Sequence, residues 1–293
     1  MNDTVTPLIS VVIPTYNHAR FLGRALQSVL NQTYPNWEAI VIDNHSTDST
    51  DKIMASFADQ RITYLKIHNN GVIATSRNAG IRVAKGEWIA FLDSDDWWSL
   101  DKLQVCFDSI NDNVDLVYHD MEIVSEKPLL FRRKMTKSWQ VKKPVLVDLL
   151  TKGNAIVNSS VVVRKCLLEK IGGICDDVKM ISAEDYNTWL CISLLSDGFK
   201  YLAVRLGYYL QHGQNISGTD KSLFVRHAVA ELIPLLDRKD KIKHEVIMRY
   251  AKGRFNYVAG QYVEAKNELL FCLRYGDQFI RLKSMLMLIR ILR

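Results

Sequence analysis

Asp93-Ser94-Asp95-Asp96 places three carboxylates within four residues, directly behind an apolar run that begins at Trp88. Carboxylates this close repel one another and resist ionising together. A hard divalent cation relieves that repulsion, because Mg2+ and Mn2+ favour oxygen ligands and keep positions open for phosphate oxygens. The competing reading is the acid-rich first turn of a helix running from Trp97 to Ile110. A second acidic pair, Glu184-Asp185, opens another helical pattern, and Trp97, Trp98 and Trp189 lie beside these acids. An indole face can stack on a ligand ring or fill a core; of the three, Trp98 is the candidate for ligand contact.

Four nearly continuous apolar runs set these groups in place: Ile9 to Pro14, Trp37 to Asp43, Ile62 to Ile67 and Trp88 to Asp93. Such runs suit parallel strands buried on both faces. Helical patterns separate them. Phe21, Leu22, Ala25, Leu26, Val29 and Leu30 form one apolar face, a second helix starts near Thr47 to Thr50, and a third spans Ala74 to Ala84. The alternation predicts an α/β fold with a doubly wound, mostly parallel sheet and flanking helices. Ligands of such sheets bind at the carboxyl ends of the strands. Here those ends read Pro-Thr-Tyr-Asn, Asp-Asn-His-Ser-Thr-Asp and Asp-Ser-Asp-Asp.

From Asp115 to about Lys143 the pattern loosens, and the basic stretch Phe131 to Lys137 reads as an exposed connection or lid. Strand character returns at Val157 to Val163, a helix follows from Ala183 to Ser196, and Tyr201 to Leu210 is extended. Beyond Gly218 only helices are expected, with Tyr250 to Asp277 patterned like one tetratricopeptide-type hairpin. A lone hairpin cannot bury its own face and should pack on the rest of the chain or on another chain. Phe279 to Arg293 carries four basic and no acidic residues among apolar ones. It reads either as a basic amphipathic helix on a membrane surface or as a helix capping the core.

Taken in order, five segments resemble the family-2 glycosyltransferases of the GT-A fold. They are Val11-Val-Ile-Pro-Thr-Tyr-Asn17, Asp43-Asn-His-Ser-Thr-Asp48, Asn70-Gly71 with Ser76-Arg-Asn-Ala-Gly80, Phe91-Leu-Asp-Ser-Asp-Asp96 and Ala183-Glu-Asp-Tyr-Asn-Thr-Trp-Leu190. The resemblance covers roughly residues 8 to 217. It implies a GT-A catalytic domain over residues 1–218, with a nucleotide-sugar half to about 115 and an acceptor half over 116–218. Residues 219–293 would form a helical C-terminal region.

The resemblance also implies roles. Asp43 and Asn44 lie beside the nucleotide base, with Pro14 and Tyr16 walling the same pocket. Asn-His stands where the family more often has Asp-Gly, and thymine becomes an alternative to uracil. Arg77 becomes a diphosphate contact, a task suited to a guanidinium. Asp93, Asp95 and Asp96 serve ribose and metal, and His212, in the downstream strand and histidine motif, is a candidate fourth participant since imidazole also binds Mn2+. Asp185 is the base that deprotonates the acceptor hydroxyl, with Glu184 positioning it or the acceptor. A single attack from the opposite face inverts the anomeric centre. The implied cofactor is Mn2+ or Mg2+, and the implied partners are a nucleotide-sugar donor and a glycan or lipid-linked glycan acceptor of bacterial surface polysaccharide. An inactive nucleotide-sugar-binding or scaffold subunit is the alternative.

Bulk properties fit this and exclude rivals. Of 293 residues, 48% are hydrophobic and 24% charged, ordinary for a folded protein with a sizeable core. The net charge of +6 suits phosphorylated ligands or anionic lipid. Nucleic-acid binding is not expected, as no basic stripe with stacking aromatics occurs. The turn after the first strand lacks the glycines of a dinucleotide fold, and no Gly-Lys-Ser/Thr loop is present. Five singly scattered cysteines suggest a reducing compartment. With no secretory signal pattern and no spanning apolar run, the expected location is the cytoplasm, with peripheral contact at the inner membrane through 279–293.

Overall fold

The computed structural model describes residues 6–125, 134–213 and 220–291. The first half alternates β1 (Ile9–Thr15), α1 (Ala19–Leu30), β2 (Trp37–Asp43), α2 (Thr50–Ala55), β3 (Ile62–Lys66), α3 (Ile73–Val83) and β4 (Trp88–Phe91). It continues through β5 (Trp97–Trp98), α4 (Lys102–Asp108), β6 (Leu116–Ser125), β7 (Lys134–Met135), α5 (Val145–Lys152), β8 (Val162–Arg164), α6 (Lys165–Lys170), α7 (Glu184–Ser193) and β9 (Phe199–Gln211). Helices α8 (Ser222–Val229), α9 (Arg238–Val258), α10 (Tyr262–Tyr275) and α11 (Gln278–Ile291) complete the described chain.

The sheet runs β3-β2-β1-β4-β8-β6-β9-β5, with β7 beside β6. β1 to β4 pair in parallel, whereas β8 joins both β4 and β6 antiparallel. Alternation along β1 explains the two-sided burial. Ile9, Val11 and Ile13 enter a core with Leu22, Leu26 and Val29 of α1, while Val12 enters the opposite core with Ile42, Ala79 and Ile81. The strand order reverses between β1 and β4, which opens a crevice at their carboxyl ends. Pro-Thr-Tyr-Asn and Asp-Ser-Asp-Asp both exit there.

Gly80 sets how closely α3 approaches this sheet. A Cβ there would meet Val12 Cγ1 at 2.7 Å and Ile42 Cδ1 at 2.8 Å, so only glycine lets the helix lie this close.

Three local expectations are corrected. Trp97 and Trp98 form a strand, not a helix start; they pair antiparallel with Tyr208 and Gly207 of β9. The stretch read as a loose connection contains β6, which runs parallel to β9 through a register shift between His119 and Met121. Of the basic stretch, 131–133 lie outside the described residues, and Lys134 and Met135 pair with β6.

The expected helical hairpin is α9 and α10, and it packs on the rest of the chain. His244 of α9 donates from Nδ1 to the Leu150 carbonyl of α5 at 2.7 Å, and Ile247 reaches Gly153. Ala265 and Leu269 of α10 share a small core with Leu288 of α11. Among the described residues no helix is long and apolar enough to cross a membrane.

Candidate active site

The exits of β1 and β2 are laced together before any ligand is considered. Asn17, at φ 51, accepts from Thr47 N through Oδ1 at 2.8 Å and donates its own N–H to Ser46 Oγ at 2.8 Å. Ala19 N donates to Asp48 Oδ2 at 2.9 Å. Asn17, His45, Asn70 and Ser182 all take the left-handed conformation, at φ 51, 51, 51 and 68. Three of them follow the β1, β2 and β3 exits and the fourth precedes α7, a clustering typical of sites where backbone geometry is imposed.

At the β2 exit the acidic pair divides its work. Asp43 is wholly buried, and its carboxylate accepts from Ser46 N at 3.0 Å, Ser46 Oγ at 2.5 Å and Tyr64 OH at 2.9 Å. It therefore shapes the loop after β2. Asn44 is half-buried, with Oδ1 accepting from Asn69 N at 2.9 Å. Pro14 is buried within β1, while Tyr16 is 53% exposed at the crevice, so its ring is open to stacking.

Arg77 contradicts its expected role. Its side chain is 4% exposed and spans two acids: Nη2 donates to Asp93 Oδ1 and Nη1 to Glu184 Oε1, each at 2.7 Å. Burial opposes the charge, but these two carboxylates outweigh it and hold the guanidinium pKa above its ordinary value. A cation so enclosed does not reach a diphosphate; it ties the Asp-Ser-Asp-Asp turn to the start of α7. Asp93 is further fixed by Asn158 Nδ2 at 3.2 Å and by its own N–H donating to Ser159 Oγ at 3.1 Å.

The remaining acids of the turn part ways. Asp95 Oδ2 lies 2.9 Å from His212 Nε2, which brings a carboxylate and an imidazole from opposite ends of the domain together. Asp96 turns inward, 1% exposed, and Oδ1 accepts from Leu210 N at 3.0 Å, pinning β9 to the turn. Burial first, then Asp95 and Asp93, push its carboxyl well above the ordinary value. Its second oxygen, Oδ2, is buried without a hydrogen-bond partner among the described residues, so the carboxylate keeps one oxygen uncommitted.

Trp98 is corrected too. It is 3% exposed, its Nε1 donates to Ser159 O at 2.7 Å, and the buried Lys102 Nζ sits 3.9 Å over its ring. It is core, not an acceptor platform. Trp97 is half-buried, stacked with Tyr208 at 4.9 Å and with the Arg24 guanidinium 3.5 Å over its ring.

Glu184 and Asp185 open α7. Glu184 is buried and committed to Arg77. Asp185 is half-buried, and Oδ1 accepts from Tyr186 N at 2.6 Å. Burial, then the neighbouring Glu184 charge, raise its pKa to about 7, against the lowering pull of Arg77. A carboxyl that trades its proton near neutrality is suited to general-base work.

A Glycosyl transferase family 2 model matches residues 10–170. The UDP-Glc:alpha-D-GlcNAc-diphosphoundecaprenol beta-1,3-glucosyltransferase WfgD of Escherichia coli is 31% identical over 63% of this chain and 69% of its own length.

The chain belongs to glycosyltransferase family 2.

Another Escherichia coli relative, WfaP, bears the same activity name and is 26% identical over 75% of this chain and 84% of its own. The fold is shared with Staphylococcus aureus TarS in complex with UDP-GlcNAc, at a TM-score of 0.66, 19% identity, and coverage of 93% of this chain and 82% of that one. This family-2 chain is thus a glycosyltransferase with the GT-A α/β architecture.

Within this family-2 site, the residues fit a divalent cation in one place. Asp95 and His212 offer an oxygen and a nitrogen donor in contact, a pairing that suits Mn2+. Among the described residues no group of three or more such side chains converges. A cleft of about 1000 Å³, bordered by Asn78, Arg82, Lys179, Asn187 and His227, adjoins α3 and α7 but includes none of these acids. Asn69, Asn158 and Ser159 carry much of the scaffolding and fall in none of the five motif segments; short polar side chains after β3 and ahead of β8 are the signal the sequence offers for them.

Proposed function

We propose that this chain transfers a sugar from a UDP-sugar, with inversion, to a hydroxyl of a lipid-linked glycan during assembly of a bacterial surface polysaccharide. The observation that carries this reading is the buried Asp93–Arg77–Glu184 bridge, which ties the turn that bears Asp95 to the helix start that bears Asp185. The UDP donor and the diphospholipid-linked acceptor are supported by the names of WfgD and WfaP.

The nucleoside lies against the β1 and β2 exits, with Tyr16 stacking on the base and Asn44 beside its edge. Asp93, with 29% of its side chain exposed, faces the ribose. Asp95 and His212 would hold Mn2+ or Mg2+, whose chemistry is to offset the charge growing on the departing diphosphate. Asp185 accepts the proton of the acceptor hydroxyl as its oxygen attacks the anomeric carbon from the side opposite UDP, so an α-linked donor gives a β-linked product. Glu184 does not meet substrate; it holds the start of α7 through Arg77. Residues 1–218 form the catalytic unit in this reading, and 219–293 an accessory helical unit.

The test is release of UDP from a panel of UDP-sugars in the presence of a GlcNAc-diphospholipid acceptor. Acceptor-dependent UDP release by the wild type, lost in Asp185→Asn, supports the reading. No turnover of any UDP-sugar, with dTDP- and GDP-sugars also inert, would return the chain to a binding or scaffold role.

A further inference from the structure

We propose that the outer face of α11 is a docking surface for an anionic lipid bilayer. The helix is apolar on two opposite faces rather than one. Ile280, Ser284 and Leu288 are buried against α9 and α10. At 100° per residue, Met285, Ile289, Leu282, Leu286 and Phe279 fall on the opposite arc. All five are exposed, from 41% at Met285 to 64% at Phe279. Single exposed apolar residues are ordinary, but a contiguous stripe along a helix of about 21 Å marks an interaction surface.

Charge selects the occupant. Arg281 borders one margin of the arc, and Lys283 and Arg290 border the other, while α11 contains no acidic residue. Lys283 Nζ lies 3.7 Å over the Phe279 ring, so its stem follows the apolar face while its charge stands at the edge. Basic groups flanking an apolar stripe are what an interfacial helix presents to anionic headgroups. A second copy of this chain fits worse. A two-fold interface would set this basic patch against itself, with no acid on the helix to answer it. This inference does not depend on the donor or acceptor proposed above.

The experiment is cosedimentation of the full chain with phosphatidylcholine vesicles and with equimolar phosphatidylcholine–phosphatidylglycerol vesicles. The wild type is expected to bind the anionic vesicles and not the zwitterionic ones. Leu282→Glu with Leu286→Glu should weaken binding more than about tenfold. Arg281→Gln, Lys283→Gln and Arg290→Gln should each weaken it about fivefold, with unchanged thermal unfolding in buffer. Failure of the wild type to bind anionic vesicles, or equal binding by the double-glutamate variant, overturns the proposal. So does a concentration-dependent dimer in buffer that the double-glutamate variant abolishes, since the face would then belong to a second copy.

Discussion

Arg77 Nη1 and Glu184 Oε1 lie 2.7 Å apart, joining the middle of α3 to the first residue of α7. The other arm of the same guanidinium holds Asp93. One buried cation thus sets the spacing between the turn after β4 and the helix that carries Asp185.

Arg77→Met should therefore be costly twice over. It leaves Glu184 buried and uncompensated, for which about 3–5 kcal/mol of stability is typical. Arg77→Lys should recover only part, because one ammonium cannot reproduce two divergent N–H contacts. Thermal unfolding of both variants, alongside UDP release, checks this. An Arg77→Met protein with wild-type melting would mean that the bridge does not hold the two elements.

Asp185→Asn is expected to lower kcat by about 10²–10⁴ while sparing nucleotide binding. In the wild type, activity should fall as pH drops through about 7, where Asp185 takes up a proton. Stability runs the other way. The folded protein holds this proton up to about pH 7, whereas the unfolded carboxyl releases it near 3.8. The folded state binds more protons across that interval, so Asp185 makes stability decline as pH rises through it and level off above. The asparagine variant should lose this part of the pH dependence, as read by melting temperature at a series of pH values.

Gly80→Ala should destabilise by about 1–3 kcal/mol despite alanine's better helix propensity, since the new methyl overlaps Val12 and Ile42. Because α3 also carries Arg77, activity should fall further than the loss of folded protein explains. Chemical denaturation with specific activity measured on the folded fraction separates the two effects.

Much of the fold was legible because its first strands are buried on both faces and read as unbroken apolar runs. β2 spans Trp37–Asp43 as expected, and α3 was placed within a residue at each end. β6 escaped because Leu116–Ser125 mixes His119, Asp120 and Glu122 into the strand, and its partner β9 lies far along the chain. Trp97 and Trp98 have the pattern of a helix start because propensity cannot register the hydrogen bond from the Leu210 backbone N–H to the Asp96 carboxylate, which draws the turn onto β9.

The site was legible by residue type more than by role. Asp95 and His212, each a candidate metal ligand, lie 2.9 Å apart. Arg77, Asp43, Asp96 and Trp98 were expected at ligand, and all four are buried. Nothing in a linear motif distinguishes an arginine that grips phosphate from one that clamps two carboxylates. Burial and the identity of the second partner decide it, and both depend on residues more than a hundred positions away.

The most direct test of the account is thermal unfolding with UDP, dTDP and GDP, each with and without Mn2+. A ligand at a hundred times its dissociation constant adds about 2.7 kcal/mol to the folded state. UDP with Mn2+ is expected to raise the melting temperature of the wild type, and neither Asp95→Asn nor His212→Ala should show the metal-dependent part. A wild type that ignores UDP and Mn2+ together, or a shift that persists unchanged in both variants, would contradict the proposed donor site.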